Sequence, residues 1–270
     1  VQEVERMSRV IAFVGDLHVG SRFAVAPEGY RTKEKNVVRL NSGQKKLFEY
    51  FEDFCQKCDE LGVDTVFLMG DLIDGPNPKG YGRNLVVADL NDQIEMAVVL
   101  LRGLCKDRDI YGIEGSGYHV LPGGVSADQM VVQLLGGKWK GMASICRFAP
   151  SSLTFFITHG TTQATVYRTT VMDRENLFIN ASVGVGKLPP IQVIVKAHRH
   201  FYLYMEQNGQ YMLQVPCWIA WVPNKVFLKL YGRMQPDIGA CIIEVTEDGK
   251  LYHHAFLYDL PHIADRKEIL

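Results

Sequence analysis

Carboxylate and imidazole side chains, the two commonest oxygen and nitrogen donors to divalent cations, recur in this chain at short spacing. Four of its eight histidines lie in three polar motifs: Gly15-Asp16-Leu17-His18, Thr158-His159-Gly160 and Ala197-His198-Arg199-His200. A carboxylate pair, Gly70-Asp71-Leu72-Ile73-Asp74, falls between the first two. In an extended segment the side chains at i and i+2 point the same way. Asp16 with His18, and His198 with His200, are therefore each expected to grip one centre. A mixed carboxylate and imidazole set suits manganese, iron, zinc, cobalt or nickel better than calcium or magnesium alone.

Each motif directly follows a strand-like run. Val10 to Val14 and Asp64 to Met69 are short, continuous apolar runs of the kind that make buried strands. Ile110 to Ile113 gives a third strand. Between them, residues 43 to 61 and Asp89 to Cys105 carry apolar residues at spacings of three and four, predicting amphipathic helices; Gly62 stops the first. A short helix is predicted from Ala127 to Leu135. Strand–helix alternation is the signature of parallel strands with crossover helices. The second half differs. Ser144 to Phe148 and Leu153 to Thr158 read as a hairpin turned at Ala149-Pro150-Ser151, followed by a helix near Thr169 to Ile179. Strands follow at Gln192 to Lys196, Phe201 to Glu206 and Tyr211 to Val215. Ala240 to Thr246 and Leu251 to Tyr258 form a hairpin through Glu247-Asp248-Gly249. Ser21 to Asn41 and Pro76 to Asn84 are loops. The pattern predicts an α/β fold of two packed mixed sheets flanked by helices, with residues 1–270 forming a single domain. In such sheets ligands bind beyond the carboxyl ends of the strands, which is where all four motifs fall.

The 270 residues are enough for one substantial core, and 47% hydrophobic with 22% charged residues is a soluble globular balance. A net charge of −1 gives no global field for holding nucleic acid, though a local basic groove is compatible with it. No apolar run approaches the ~20 residues of a membrane span, and Val1 to Arg9 is polar rather than leader-like. A cytoplasmic protein with six reduced cysteines, without a membrane partner, is the expectation. Cys55-x-x-Cys58 sits inside a helical pattern with no second pair at zinc spacing, so it reads as structural.

Taken in order, the motifs resemble those of the calcineurin-like metallophosphoesterase superfamily: Asp-x-His, Gly-Asp-x-x-Asp, Gly-Asn-His, His-Gly and Gly-His-x-His. Asp16/His18, Asp71/Asp74, His159 and His198/His200 match four of the five. The resemblance spans about Val10 to His200 and implies a four-layer αββα sandwich holding two divalent transition ions, with manganese foremost. It places Asp16, His18, Asp71 and His200 on one metal. Asp71 would bridge to a second, held also by His159 and His198, while Asp74 would support the ligands. The implied activity is phosphate ester hydrolysis by a metal-bridging hydroxide.

The remaining motif departs from the pattern. Gly-Asn-His is replaced by Gly115-Ser116-Gly117-Tyr118-His119. In one reading the loop is longer, His119 reaches the leaving oxygen as general acid, and Ser116 or water takes the Asn position. In the other, the second metal is weak and the enzyme slow. The first is preferred because the other ligands are intact.

Other polar or aromatic groups have plainer readings. Alternation points Arg199 away from the metals into a structural role. Arg31, Lys33 and Lys35 read as a solvated stretch, with phosphate contact as the alternative, and His253 and His254 read as structural. The tryptophans of Pro216-Cys217-Trp218-Ile219-Ala220-Trp221-Val222-Pro223 could floor a base-binding pocket or pack in the core.

The expected substrate is a phosphate ester, with a diester or nucleotide favoured over phosphoproteins. Alternatives are a phosphomonoesterase or protein phosphatase, a nuclease resembling the SbcD group acting on nucleic acid, and a non-catalytic interaction module on the same fold.

Overall fold

Alternation of buried residues along the strands sorts this chain into layers. The computed structural model describes residues 7–77, 81–117, 126–160, 167–220 and 236–259. In β1 (Ser8–Val14), Ile11 and Phe13 face one apolar cluster while Ala12 and Val14 face another. In β2 (Thr65–Leu68), Phe67 joins the first cluster and Val66 and Leu68 the second. β10 (Ile238–Thr246) divides likewise, with Cys241, Ile243 and Val245 on one side and Ala240 and Ile242 on the other. A sheet buried on both faces is the consequence, which explains why these strands read as unbroken apolar runs.

The first sheet has the order β11-β10-β1-β2-β3-β4, with β3 at Asp109–Gly112, β4 at Lys138–Trp139 and β11 at Leu251–Tyr258. Strands β1 to β4 are parallel, and β10 and β11 are antiparallel additions at one side. The second sheet has the order β5-β6-β7-β9-β8, with β5 at Ala143–Arg147, β6 at Thr154–Thr158, β7 at Val193–Lys196, β8 at Leu203–Gln207 and β9 at Gln210–Gln214. Here β6, β7 and β9 run parallel. Phe155, Ile157, Val193, Val195 and Leu213 meet Ile11, Phe13 and Phe67 between the sheets.

Helices cover both outer faces. α1 (Ser42–Glu60), α2 (Leu90–Cys105) and α3 (Ala127–Leu134) pack on the first sheet. α4 (Thr169–Gly184) packs on the second through Met172 and Ile179 against Ile194 and Met212. The layer order is therefore the expected αββα. α1 starts at a capping box, Asn41 with Gln44, and ends where Gly62 takes φ of 65°. The Gln44 amide also donates to the carbonyls of Ser21 and Ala24, pinning the long loop before the helix.

Some expectations are corrected. The two-residue strand β4 is too short to carry a periodic signal. α4 runs past Ile179 to Gly184 because Asn180, Ala181 and Ser182 are tolerated on its outer face. Trp218 is no pocket floor: it is fully buried, its ring 5.0 Å from that of Phe51 and 6.0 Å from that of Phe54. Trp221 lies outside the described residues. His253 stacks on Tyr204 with ring centroids 3.6 Å apart, tying β11 to β8. Lys33 sits 3.6 Å from Glu95, and Arg31 and Lys35 are exposed in a solvated stretch. Cys55 and Cys58 are free thiols in α1; burial pushes Cys55 up to about 12 and Cys58 higher still, so neither is poised to react. No helix among the described residues is long and apolar enough to cross a membrane.

Candidate metal centre

Parallel strands of both sheets deliver their C-terminal ends to one place. Asp16 and His18 follow β1, Asp71 follows β2, and Gly115 and Ser116 follow β3; His159 follows β6, and His198 and His200 follow β7. The predicted residues fall into two groups whose ligand atoms lie within 4.8 Å of one another: Asp16, His18 and His200, then Asp71, His159 and His198.

The backbone that achieves this is not the extended one expected. Asp16 (φ 50°), His18 (46°), Asp71 (52°), His198 (76°) and His200 (57°) all occupy the left-handed region. That region is sparsely used by residues other than glycine, and such conformations concentrate at functional sites. The strands end first, and the chain then coils over the sheet edge. Asp16 and His18 share a group through that coil, as do Asp71 and His198 with His159, while His198 and His200 divide between groups rather than sharing one.

In the first group His200 Nε2 lies 3.2 Å from Asp16 Oδ1 and 3.3 Å from His18 Nε2. In the second, His159 Nε2 lies 3.0 Å from Asp71 Oδ2 and 3.2 Å from His198 Nδ1. The groups adjoin, since His159 Nε2 is also 3.9 Å from Asp16 Oδ1. Outer contacts orient the donors. The His159 Nδ1–H donates to the Met69 carbonyl at 2.7 Å, which turns Nε2 inward. The His198 amide donates to Asp16 Oδ2 at 2.8 Å, leaving Oδ1 toward the imidazoles. Asp74 Oδ1 lies 3.4 Å from His18 Nδ1, on the ring edge away from His200. Four imidazoles converging on two carboxylates, with ring nitrogens as close as 3.2 Å, is a donor set that fits divalent transition ions.

The charges follow from this crowding. Burial works against ionised Asp16, but His200 and His159 outweigh it and hold the carboxyl below its usual range. Burial also opposes charge on His159, yet Asp71 and Asp16 push it up to about 10. His198 is pushed down to about 4 by burial and by the neighbouring His159.

One residue important to this site escaped the sequence reading. Asp128, in the first turn of α3, is buried and accepts three backbone amides: Gly115 at 2.8 Å, Leu72 at 2.9 Å and Asp71 at 3.1 Å. It clamps the loops after β2 and β3 together. Burial and the charge of Asp71 raise it to about 6. The loops touch closely enough that a Cβ on Gly70 would fall 2.4 Å from the Gly115 Cα. In an Asp128→Asn protein the new amide group must face at least one of the three N–H donors. We expect a loss of about 1–3 kcal/mol, the cost of one buried unsatisfied donor. Urea unfolding checks it, and an unchanged midpoint would remove the clamp.

Ser116 donates from its amide to Asp71 Oδ1 at 2.7 Å, and its hydroxyl lies 3.1 Å from both oxygens of that carboxylate. Its donors are engaged in holding Asp71. His119 lies outside the described residues. Arg199 is half-buried, and burial lowers its pKa.

Comparison with protein-family models gives no match, and no curated protein matches the chain. Among solved structures it is similar to an archaeal phosphodiesterase, at 12% identity over 92% of this chain and 99% of that one, with a TM-score of 0.46. It is similar to a conserved uncharacterised protein, a predicted phosphoesterase, from Streptococcus pneumoniae, at 12% identity over 93% and 98% with a TM-score of 0.37. Wild-type Vps29 from Entamoeba histolytica, complexed with zinc, aligns at 14% identity over 93% and 99%, with a TM-score of 0.41.

Proposed function

We propose that this protein is a metal-dependent phosphoesterase, with diesters or nucleotides preferred to phosphoproteins. The observation that carries the reading is the pair of adjoining donor groups, built from both sheets around the buried carboxylates of Asp16 and Asp71. Asp16, His18, Asp71 and His200 would hold one divalent ion, and Asp71, His159 and His198 the other. Bound there, the ions would acidify a water near neutral pH and offset charge on the phosphoryl oxygens.

The protein's own groups do the rest. Ser116 and the Asp128 clamp fix Asp71 between the two groups. Met69 fixes the His159 ring. His200, with about a third of its side chain exposed, marks the side open to substrate. His119 is assigned the proton donated to the leaving oxygen. We expect His119→Ala to slow esters with poor alkoxide leaving groups at least tenfold more than nitrophenyl esters, whose leaving group needs no proton. Equal slowing of both would remove the acid role.

The pH dependence has a definite sign. The proton on His159 must leave before that nitrogen can bind metal. With His159 raised to about 10 in the metal-free protein, it is protonated across the neutral range, whereas His198, at about 4, is already neutral. Manganese affinity should rise about tenfold per pH unit between pH 6 and 8, one proton being displaced. Titrations at pH 6, 7 and 8 would show it; a flat affinity would contradict the coupling.

A panel of mono-, di- and cyclic phosphates, assayed with manganese and with chelator, tests the function. Turnover that needs manganese and favours diesters supports it. A protein that takes up no transition metal would fit the interaction module instead.

A further inference from the structure

The free edges of the two sheets are not alike. β4 is two residues long, β5 ends on the exposed Arg147 and β8 carries the exposed Glu206, the usual ways in which an edge is kept from pairing. β11, at the outer edge of the first sheet, has none of these guards. Leu251 to Tyr258 include no Lys, Arg, Asp, Glu or Pro. The phase of the hairpin fixes which backbone groups are in use. Thr246 donates to the Lys250 carbonyl, and the β10–β11 register continues from that pair. Tyr252, His254, Phe256 and Tyr258 therefore bond to β10, while the N–H and C=O groups of Leu251, His253, Ala255 and Leu257 point out of the sheet. Among the described residues, no backbone hydrogen bond reaches those four. Apolar side chains are uncovered here too: Tyr252 is 49% and Leu257 48% exposed, on opposite faces of the strand.

We propose that β11 is a docking edge for a second copy of this chain, joined antiparallel about a twofold axis at His254. An edge that meets its own twin is closed on both molecules at once. This register pairs Leu251 with Leu257 and His253 with Ala255 across the axis, each pair exchanging two backbone bonds, so that all four outward residues are satisfied. It also sets the exposed Tyr252 against Phe256 and the exposed Leu257 against Leu251. Moving the axis by one residue sets Leu257 against Gly249 or His253 instead, and leaves an outward residue beyond the ladder. This matching of the strand's own exposed side chains to one another is what favours a copy over a foreign peptide. Lys250 (which also holds Asp248 at 2.6 Å) and Asp259 are exposed just outside the two ends of the strand, and come to neighbouring positions across the axis with opposite charges. The stack of Tyr204 on His253 holds the edge extended before any partner arrives, which lowers the ordering cost of pairing. Because β11 runs parallel to β1, the axis sends the two metal centres to opposite rims of one continuous sheet, and neither is covered.

Sedimentation equilibrium on the full chain tests the assembly. The wild type should run as a dimer of the 30.4 kDa chain. Leu257→Lys changes an exposed position and should weaken the dimer about tenfold, since two equivalent cross-strand pairs are lost at once. Circular dichroism on the same sample should show an unchanged fold. His254→Cys should form an intermolecular disulfide under mild oxidation, because a non-hydrogen-bonded pair on the axis brings the two Cα atoms to about 4.5 Å. Tyr252→Cys should not, its twin lying about 14 Å along the strand. A monomeric wild type overturns the proposal, whether or not an extended peptide is found on the edge. Wild-type affinity in Leu257→Lys overturns it, as does a His254→Cys protein that forms no cross-link or a Tyr252→Cys protein that cross-links as readily. Chelator should leave the dimer intact; a dimer that needs metal belongs to the centre rather than to this edge, and also overturns it.

Discussion

Asp71→Asn should abolish stoichiometric uptake of both ions and lower manganese-dependent turnover of bis-p-nitrophenyl phosphate by roughly 10³-fold, equivalent to about 4 kcal/mol of transition-state stabilisation. The size follows from position. Asp71 Oδ2 lies 3.0 Å from His159 Nε2, and the same carboxylate takes the Ser116 amide at 2.7 Å. An amide at this position removes the negative charge on which a second cation depends. It also turns an N–H₂ toward either an imidazole or the Ser116 donors. The effect should exceed that of His119→Ala, which leaves every proposed ligand in place. Metal analysis and circular dichroism on the same sample separate lost chemistry from lost structure. Turnover equal to that of the unaltered protein would reject the ligand assignment.

Gly70→Ala should be a severely damaging substitution at the centre itself. Gly70 has φ of 85°, and an added Cβ would lie 2.4 Å from both the Cα and the nitrogen of Gly115. Those are backbone atoms and cannot turn aside. The Gly70 carbonyl also receives the Asp16 amide at 3.0 Å, so any retreat of this loop moves both carboxylates. Strain at the left-handed backbone contributes about 1–3 kcal/mol and the forced displacement about as much again. We expect a total of about 2–6 kcal/mol, seen as a thermal midpoint roughly 4–20 °C lower, with manganese binding lost. Gly62→Ala is the control. Gly62 has a similar φ of 65° but open space around its Cβ position, so only the strain, about 1 kcal/mol, should register. Equal losses at the two glycines would mean that the close approach of the loops is unimportant.

Much of this architecture was legible because its signals are local. β1 and β2 are apolar on both faces, and the 3.6-residue periodicity of α1 and α2 is regular. The identity of the cluster residues was legible for a similar reason: Asp-x-His and His-x-His are unusual at strand ends. Their backbone was not. Five of the six ligand candidates have positive φ; Asp and His enter that region more readily than most residues, but type alone does not say which of them do. Asp128 was hidden for a different reason. Behind the Ser126 N-cap it reads as an ordinary acidic residue complementing a helix dipole. Its partners Asp71 and Leu72 are 57 and 56 residues away, and only the placement of α3 against the loop after β2 gives it three amides to hold.

Asp16, His18 and Asp71 belong to the first sheet, while His159, His198 and His200 belong to the second. Cations held between them would rivet the two halves of the sandwich at the very rim where apolar packing runs out. Whatever ligand free energy the ions release accrues to the assembled pair of layers alone, about 2.7 kcal/mol for each site at a hundredfold excess over its dissociation constant. Starvation for metal would thus do more than silence chemistry: it would let the layers part from the mouth inward, and slow amide exchange in β1 and β7 would be the first property to go.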